Sequence, residues 1–357
     1  MMNLKIALLG AAALTLASCT TLPTGISNIS VTKADGKYTV STPINSFSDF
    51  ILVETQMGDI APRVVDMDTI VDGLAKYDVV FVGEAHGHAA NHYVQSKIFS
   101  GLHTKYSDMA LSMEQFERSQ QGVVDDYLAG KIGEETLIHD GKAWYHYRQS
   151  YRPLVEYAKN NDLPVIAAEV PGNMVSCVGE RGPDFLKQIS GEPRSWIARE
   201  LHVGDGPYKD KFYKFMDAAA GHSVNDPNES EASKQRKKFY RFAAQVSRDD
   251  TMAESIADHL KANPGRKIMH IDGSFHSAGL LGTVERLKMR IPDLKAANVH
   301  PIMVDDPKNP SFDVKDVGEG QYLLLIYPTP KRFVQMKNIN AFIKRTKGKI
   351  DENRCAY

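Results

Sequence analysis

The sequence predicts an α/β fold with a largely parallel central sheet flanked by helices and one helical insertion. Two observations predict it. Short apolar runs, of the kind that fit strands buried on both faces, recur along the chain. Longer helical stretches separate these runs, as connections between parallel strands require. The composition is that of a globular protein, since 42% of the 357 residues are hydrophobic and 24% are charged.

Residues 1–18 have the features of a secretory signal peptide. An apolar run over residues 6–16 follows a short start that carries Lys5. The run ends in Leu-Ala-Ser before Cys19, which resembles the bacterial lipobox, where the cysteine is lipidated. Thr20 follows in place of Asp, which favours the periplasmic face of the outer membrane. We expect a lipid anchor at Cys19; the alternative is an ordinary signal peptide followed by an incidental cysteine.

The rest of the chain divides into three parts. Residues 19–63 are expected to be a lipidated tether and N-terminal extension, with a hairpin-like stretch over 36–57. Residues 64–335 are expected to form the α/β domain, and residues 336–357 a C-terminal tail. The predicted strands of the domain are 79–82, 109–113, 164–168, 267–271, 300–304 and 322–327. The predicted helices are 89–106, 117–130, 151–162, 233–262 and 277–290. Residues 171–262 lack strand-like runs, which indicates a helical insertion.

Polar residues follow most of the predicted strands directly. In an open parallel sheet the carboxyl ends of the strands share one edge, and ligands bind there. Six residues at these positions are therefore expected to meet in one cleft: Glu84, His86, Glu114, Glu169, Asp272 and His276.

The cleft allows two kinds of chemistry. Glu84, His86, Glu114 and His276 have the side chains that ligate a divalent metal. The same four residues also suit catalysis, because a His–carboxylate pair acts as a general base. Both histidines stand in a Gly-x-x-His turn, at Gly83 and at Gly273, where glycine permits a sharp turn or a positive φ.

Several function classes are excluded. Lys and Arg number 43 against 44 Asp and Glu, so no basic excess exists for nucleic-acid binding through bulk charge. The chain has no P-loop, no Gly-x-Ser-x-Gly elbow and no His-Glu-x-x-His helix. Cys177 and Cys355 are the two cysteines besides Cys19, and in an oxidising periplasm they either pair or stay free.

The segments around these turns resemble the ChaN family, which belongs to a superfamily with the Tiki and TraB proteins and the erythromycin esterases. Residues 80–86 read Val-Phe-Val-Gly-Glu-Ala-His, and residues 111–118 read Leu-Ser-Met-Glu-Gln-Phe-Glu-Arg. Further similar segments are 90–92, 127–130, 151–154, 163–167, 244–253 and 273–276. The resemblance spans about residues 75–290.

The resemblance implies a lipid-anchored haem-binding protein that assists iron uptake. It also implies tyrosine ligation of the haem iron, haems at a homodimer interface and an outer-membrane haem receptor as partner. The local candidates for haem binding lie in the aromatic stretch 144–152: Tyr147, Tyr151, His146, Arg148 and Arg152. The two arginines suit haem propionates. The alternative is that this stretch is an aromatic packing patch.

Three functions remain open at this point. The first is a haem carrier without turnover. The second is a hydrolase of the Tiki or erythromycin esterase type, with either a metal or a His/Glu pair at the strand ends. The third is a structural envelope lipoprotein in which the strand-end residues are inherited scaffold.

Overall fold

The computed structural model describes residues 29–55, 61–220, 229–346 and 355–357. The predicted signal peptide and Cys19 lie outside the described residues. The strands are β1 (Val31–Ala34), β2 (Lys37–Val40), β3 (Phe50–Glu54), β4 (Arg63–Val65), β5 (Val79–Glu84), β6 (Met109–Glu117), β7 (Val165–Glu169), β8 (Lys267–Gly273), β9 (Ala296–Met303), β10 (Ser311–Asp313) and β11 (Tyr322–Ile326). The helices are α1 (Met67–Leu74), α2 (Ala89–Lys105), α3 (Gln121–Leu128), α4 (Glu134–Asp140), α5 (Arg152–Asn160), α6 (Gly172–Arg181), α7 (Pro207–Ala220), α8 (Glu231–Ala262), α9 (Thr283–Arg290) and α10 (Met336–Thr346).

The described residues form a central eight-stranded sheet in the order β4-β3-β11-β9-β5-β8-β6-β7. From β11 to β7 each strand runs parallel to its neighbours. The strands β3 and β4 add an antiparallel edge. This arrangement confirms the predicted α/β class with a largely parallel sheet.

The N-terminal region differs from the prediction. β2 pairs with β1 and β10 in a separate three-stranded sheet, whereas β3 pairs with β11 of the central sheet. Residues 36–57 are therefore not one hairpin. The expected boundary at residue 64 also falls within β4, because β3 and β4 complete the edge of the central sheet.

Each central strand buries both of its faces, which explains the continuous apolar runs. Val80 and Val82 of β5 pack in the layer that holds α1, α2 and α5. Val79 and Phe81 pack in the opposite layer, against α8 and α9. Successive side chains of a strand point to opposite faces, so a strand covered on both sides must be apolar throughout.

The predicted insertion agrees with the structure as far as it is described. Residues 171–220 and 229–262 form α6, α7, α8 and short 3₁₀ turns, without a strand. Cys177 of α6 forms a disulfide with Cys355, with 5.7 Å between their Cα atoms, so the end of the chain is fixed to this region. Among the described residues no helix is both long and apolar enough to cross a bilayer.

Candidate functional site

The carboxyl ends of β5, β6, β7 and β8 bring the predicted polar residues together. Gly83 lies opposite Asp272, and Glu84 lies opposite Gly273. Glu114 lies in a stretch of β6 whose pairing with β7 shifts register between Met113 and Glu117. Such an irregularity re-aims side chains at the end of a strand. We call the resulting group the strand-end cluster; it consists of Glu84, His86, Glu114, Glu169, Arg248, Asp249 and His276.

Glu84 is a buried acceptor for several donors. The Nδ1 atom of His86 lies 2.7 Å from its Oε1 atom, and the Tyr151 hydroxyl donates to the same oxygen at 2.6 Å. The amides of Gln95 and Gln115 donate to Glu84 at 3.0 and 3.3 Å. The contact between Glu84 and His86 holds a proton on Nδ1 of the neutral His86 ring, which leaves the lone pair on Nε2. Burial lowers the pKa of His86, but Glu84 and Glu114 outweigh that effect and raise it above its usual value.

Arg248 of α8 bridges two buried carboxylates. Its guanidinium donates to Glu114 at 2.5 Å and to Glu169 at 2.8 Å. Burial raises the pKa of Glu114, but Arg248, His276 and His86 outweigh it and lower this pKa to about 2. Burial dominates at Glu169 and raises its pKa. Glu114 is therefore ionised at neutral pH and is held by a fixed cation.

His276 is paired with Asp249. The two side chains are 2.7 Å apart, and Asp249 also accepts hydrogen bonds from Tyr208 and Thr283 at 2.6 and 2.9 Å. The Nε2 atom of His276 lies 3.8 Å from Glu114. Burial opposes protonation of His276, but Asp249 and Glu114 raise its pKa to about 9. His276 is therefore a buried cation at neutral pH, which makes it an electrostatic partner rather than a base.

The glycines of the two Gly-x-x-His turns provide space. Gly273 has a φ of −58°, so it does not use the left-handed region. A Cβ atom there would lie 2.9 Å from the ring of His86. A Cβ atom at Gly83 would lie 3.1 Å from the Cα atom of Ser274. Both glycines are needed because the two turns touch each other, and this contact brings His86 against the end of β8.

Asp272 differs from the other predicted residues. It accepts a hydrogen bond from Ser277 at 2.8 Å and lies 3.8 Å from His270, and both side chains are fully buried. Burial raises the pKa of Asp272 well above its usual value and lowers the pKa of His270 to about 3. Burial therefore favours the neutral form of both side chains, which belong to β8 itself.

The metal interpretation of Glu84, His86, Glu114 and His276 receives no support. Across the described ranges, no group of three or more His, Cys, Asp and Glu residues is arranged to hold a metal ion. The physical reason is that the carboxylate oxygens already have donors: Arg248 on Glu114, and Tyr151 and two amides on Glu84. The protonated His276 has no lone pair to offer at neutral pH.

The structure places the two tyrosines predicted to bind haem in the core. Tyr147 and Tyr151 lie on one π-helical turn and are only 2% and 0% exposed. Burial raises the pKa of both hydroxyls, and for Tyr151 the Glu84 carboxylate raises it further. Both hydroxyls therefore stay protonated inside the core, where neither reaches a surface ligand. The packing alternative describes these two residues.

Tyr145, next to them, is instead 87% exposed. Its ring contacts His146, which is also on the surface, and the His86 ring meets the Trp144 ring edge-on at 5.0 Å between centroids. The ring of His146 lies over Gly87, about 3.7 Å from where a Cβ atom would stand. We call the surface formed by Trp144, Tyr145, His146 and His86 the aromatic face.

The two predicted propionate ligands lie beside this stretch. Arg148 pairs with Glu135 at 2.5 Å, and Arg152 donates to Glu134 at 2.7 Å. Both arginine side chains stay 40% or more exposed. They are accessible to a ligand that displaces a surface carboxylate.

A family model described as "Haem-binding uptake, Tiki superfamily, ChaN" matches residues 70–287 of the chain. The match covers more than half of the sequence and includes both Gly-x-x-His turns. The chain belongs to the ChaN family.

One solved structure shows the same fold, and two others align less closely. A structure described as cofacial heme binding to ChaN of Campylobacter jejuni aligns with a TM-score of 0.57 at 14% identity, over 80% of this chain and all of that one. An erythromycin esterase mutant in an open conformation aligns at 0.41 and 13%, over 84% and 87% of the two chains. A Bacillus cereus protein aligns at 0.43 and 12%, over 79% and 95%. No functionally curated protein matches the sequence.

Sequence reasoning missed Arg248 and Asp249 of this ChaN-family site. They come from α8, which belongs to the helical layer and not to a strand end. Gln245, Arg248 and Asp249 are spaced i, i+3, i+4 and therefore share one helix face. That polar stripe on a helix with buried neighbours is the signal that could have identified them.

Proposed function

We propose that this ChaN-family protein binds haem on the aromatic face. The observation that carries the proposal is the exposure of Tyr145 beside two accessible imidazoles, those of His146 and His86. The Tyr145 hydroxyl is a hard oxygen donor of the type that holds ferric haem. Bound haem would supply an iron centre for transport or storage.

The surroundings of Tyr145 suit a flat, largely apolar ligand with two carboxylates. Trp144, Tyr145 and the histidine rings provide aromatic surface on which a porphyrin stacks. Arg148 and Arg152 provide guanidinium groups for the propionates, in exchange for Glu135 and Glu134. The buried side chains of Tyr147 and Tyr151 hold the turn in place, so that Tyr145 stays on the surface.

We further propose a setting in the cell envelope. The protein would be a lipoprotein anchored through Cys19 to the outer membrane, facing the periplasm, where it assists haem and iron uptake with an outer-membrane haem receptor. The Cys177–Cys355 disulfide supports this setting, because disulfides persist in oxidising compartments. We propose a homodimer with haems at its interface, since the family relative from Campylobacter jejuni is described as binding heme cofacially.

A haemin titration of the full-length chain carrying Cys19→Ser tests the proposal. We expect a saturable Soret shift and a ferric spectrum typical of tyrosinate ligation. Tyr145→Phe removes the ligand oxygen and should weaken binding about tenfold or more. Tyr93→Phe is the matched control, because Tyr93 is also an exposed tyrosine and its ring contacts Phe50, which is not part of the aromatic face.

Two results would refute this assignment. An unchanged spectrum and affinity in Tyr145→Phe would exclude Tyr145 as the ligand. The absence of any saturable Soret shift in the unmutated chain would exclude haem binding itself. Sedimentation with and without haemin reports the dimer in the same samples.

A second function, a His/Glu-based hydrolase, is favoured by the His86–Glu84 pair. Glu84 holds Nδ1–H, so the Nε2 atom of the partly exposed His86 side chain keeps a lone pair that can take a proton from an attacking water. Glu84 stabilises the imidazolium that forms. Because the pKa of His86 is raised above its usual value of 6.5, hydrolysis should increase as the pH rises through that raised pKa.

Hydrolysis of p-nitrophenyl acetate by the metal-free protein distinguishes the two functions. If the protein is a hydrolase, His86→Ala should abolish turnover and Tyr145→Phe should retain it. If it is only a haem carrier, every variant should show the uncatalysed background rate.

A further inference from the structure

The first turns of α2 carry three polar side chains where a helix packed on a sheet usually buries apolar ones. Asn91, His92 and Gln95 are all buried. Residues three and four positions apart lie on one helix face, so both Asn91 and His92 are neighbours of Gln95. The hydrogen bonds of all three reach the end of β5 and the turn that follows it. We call these three residues the α2 clamp.

Asn91 holds the backbone of the first Gly-x-x-His turn. Its Oδ1 atom accepts a hydrogen bond from the Ala85 N–H at 2.9 Å, and its Nδ2 atom donates to the Gly83 carbonyl at 3.1 Å. A buried backbone group without a partner costs free energy, so these two bonds favour one path of the chain through the turn. Glu84 and His86 belong to this stretch of chain, and its path sets where their side chains start.

His92 binds the other end of the turn, and its contacts define where its proton lies. The backbone N–H of Gly87 donates to the Nε2 atom of His92 at 3.1 Å. Because a backbone N–H can only donate, Nε2 carries a lone pair and the ring holds its proton on Nδ1. Nδ1 lies 2.9 Å from Oε1 of Gln95 and therefore donates to it.

Gln95 connects His92 to Glu84. Its Nε2 atom donates to the Val82 carbonyl at 3.1 Å and to Oε2 of Glu84 at 3.0 Å. A carbonyl and a carboxylate only accept, so the amide has one possible orientation. The other oxygen of Glu84, Oε1, lies 2.7 Å from Nδ1 of His86. A single series of hydrogen bonds therefore runs from His92 through Gln95 and Glu84 to His86.

We propose that His92 and Gln95 are positioning residues for His86. They hold Glu84 so that its Oε1 atom faces Nδ1 of His86, which keeps the proton on Nδ1 and leaves the lone pair on Nε2. Neither residue needs to contact a ligand, because both act through Glu84. A functional side chain keeps its geometry only when the side chains that support it are themselves held by hydrogen bonds and packing. The inference rests on the proposed function only in taking His86 as the ring that meets the ligand or substrate.

The clamp also supports the aromatic face. Gly87 has a φ of 77°, in the left-handed region that glycine favours. The ring of His146 lies about 3.7 Å from where a Cβ atom of Gly87 would stand. Loss of the hydrogen bond between Gly87 and His92 would therefore loosen the turn beneath His146. Both proposed uses of the site depend on the same clamp.

Long-range ¹H–¹⁵N NMR tests the proposal on the full-length chain carrying Cys19→Ser, with ¹⁵N-labelled histidine and without haem or substrate. Correlations within each imidazole report which ring nitrogen carries the proton. His86→Gln and His92→Gln identify the two rings by the loss of their signals. Above the raised pKa of His86, we expect the proton on Nδ1 in both rings of the parent chain. Neutral histidine in water favours the proton on Nε2, so this result would report the contacts of the folded protein.

Two variants break the series at different links. His92→Phe keeps a ring of similar size but loses both hydrogen bonds, and Gln95→Met keeps the side-chain length but loses both polar atoms. We expect each to lower the ratio of Nδ1–H to Nε2–H at His86 by about two- to tenfold, the range of one hydrogen bond of ordinary strength. Because both act through one series of contacts, the double variant should lose no more than the larger single loss.

Two further variants are matched controls. His92→Gln retains an acceptor for the Gly87 N–H and a donor for Gln95, so it should keep most of the parent ratio at His86. Ser96→Ala removes a hydrogen bond from the Ser96 hydroxyl to the His92 carbonyl on the same helix, outside the clamp, and should leave the ratio unchanged. Thermal melts show which variants fold. If His92→Phe does not fold, the comparison of Gln95→Met with His92→Gln decides the proposal.

Three results would overturn the proposal. A proton on Nε2 of His92 or His86 in the parent chain would contradict the series of hydrogen bonds, and this test needs no variant. An unchanged ratio at His86 in the variants that break the series would show that His92 and Gln95 only fill the core. Additive losses in the double variant would show that the two residues act separately. Since no ligand is present, each of these results is distinct from a failure of haem binding or of hydrolysis.

Discussion

Arg248→Gln tests whether the buried ion pairs of the strand-end cluster stabilise the folded protein. In the folded protein the Arg248 guanidinium contacts Glu114 at 2.5 Å and Glu169 at 2.8 Å. Both carboxylates are buried, at 1% and 5% exposure. Glutamine retains part of the volume and one donor group but removes the charge, so two neighbouring carboxylates lose their shared cation.

The expected loss is about 3 kcal/mol of unfolding free energy at pH 7.5. Removing one partner of a buried ion pair costs about 3–5 kcal/mol, and the partial exposure of Arg248 favours the lower end. The pKa of Glu114 gives a similar figure. It falls from 4.5 to about 2, and each unit corresponds to about 1.4 kcal/mol, although Arg248 shares this effect with two histidines.

The pH dependence provides the sharper test. A carboxylate with a lowered pKa stabilises the fold above its unfolded pKa of 4.5, and this contribution is lost as the pH falls towards 2. In Arg248→Gln the buried carboxylates instead take up protons more readily. The difference in stability between the parent and the variant should therefore be largest above about pH 5 and narrow below it.

Urea denaturation at pH 7.5 and pH 4 measures both effects. Arg148→Gln is the control, because Arg148 pairs with Glu135 on the surface and should change the stability by less than about 1 kcal/mol. A loss below about 1 kcal/mol in Arg248→Gln at pH 7.5, or the same loss at both pH values, would refute the reasoning.

Two other changes test the disulfide and the buried imidazolium. Cys177→Ser with Cys355→Ser should lower the unfolding free energy by up to about 5 kcal/mol, because the bond closes a loop with a sequence separation of 178. An unchanged urea midpoint without reductant would contradict this. The raised pKa of His276 stabilises the fold fully below pH 6.5, and that stabilisation is lost as the pH rises through about 9. His276→Gln should remove this alkaline slope, and parallel stability curves for parent and variant between pH 6.5 and 9 would contradict it.

The central sheet could be predicted because burial on both faces leaves a clear pattern. The run 79–82 is apolar throughout because its side chains alternate between two covered layers. The edge strand β3 could not be assigned in the same way. Its partner β11 lies about 270 residues away in the sequence, and no local signal specifies so distant a pairing. The disulfide could not be predicted for the same reason, since its two cysteines meet only in the folded chain.

The site was predictable where it depends on strand ends. Glu84, Glu114 and His276 meet because parallel strands end at one edge, which topology alone requires. Arg248 was not predictable by this argument, because it reaches the edge from a helix of the covering layer. The buried Tyr151 shows a third case. An aromatic residue near candidate ligands suits both a cofactor site and a core, and the sequence does not show the burial and the hydrogen bond to Glu84 that place Tyr151 in the core.

His86 links the two halves of the site and limits how they can be used. Its ring packs on Trp144 of the aromatic face, while its Nδ1 atom is bound to Glu84 of the buried cluster. With Nδ1–H held by Glu84, the Nε2 lone pair is what the ring has to offer. In the proposed haem site this ring is part of the stacking surface, and in the proposed hydrolase its Nε2 atom accepts a proton. The two proposed functions therefore use the same imidazole ring, one as an aromatic surface and the other through its Nε2 atom.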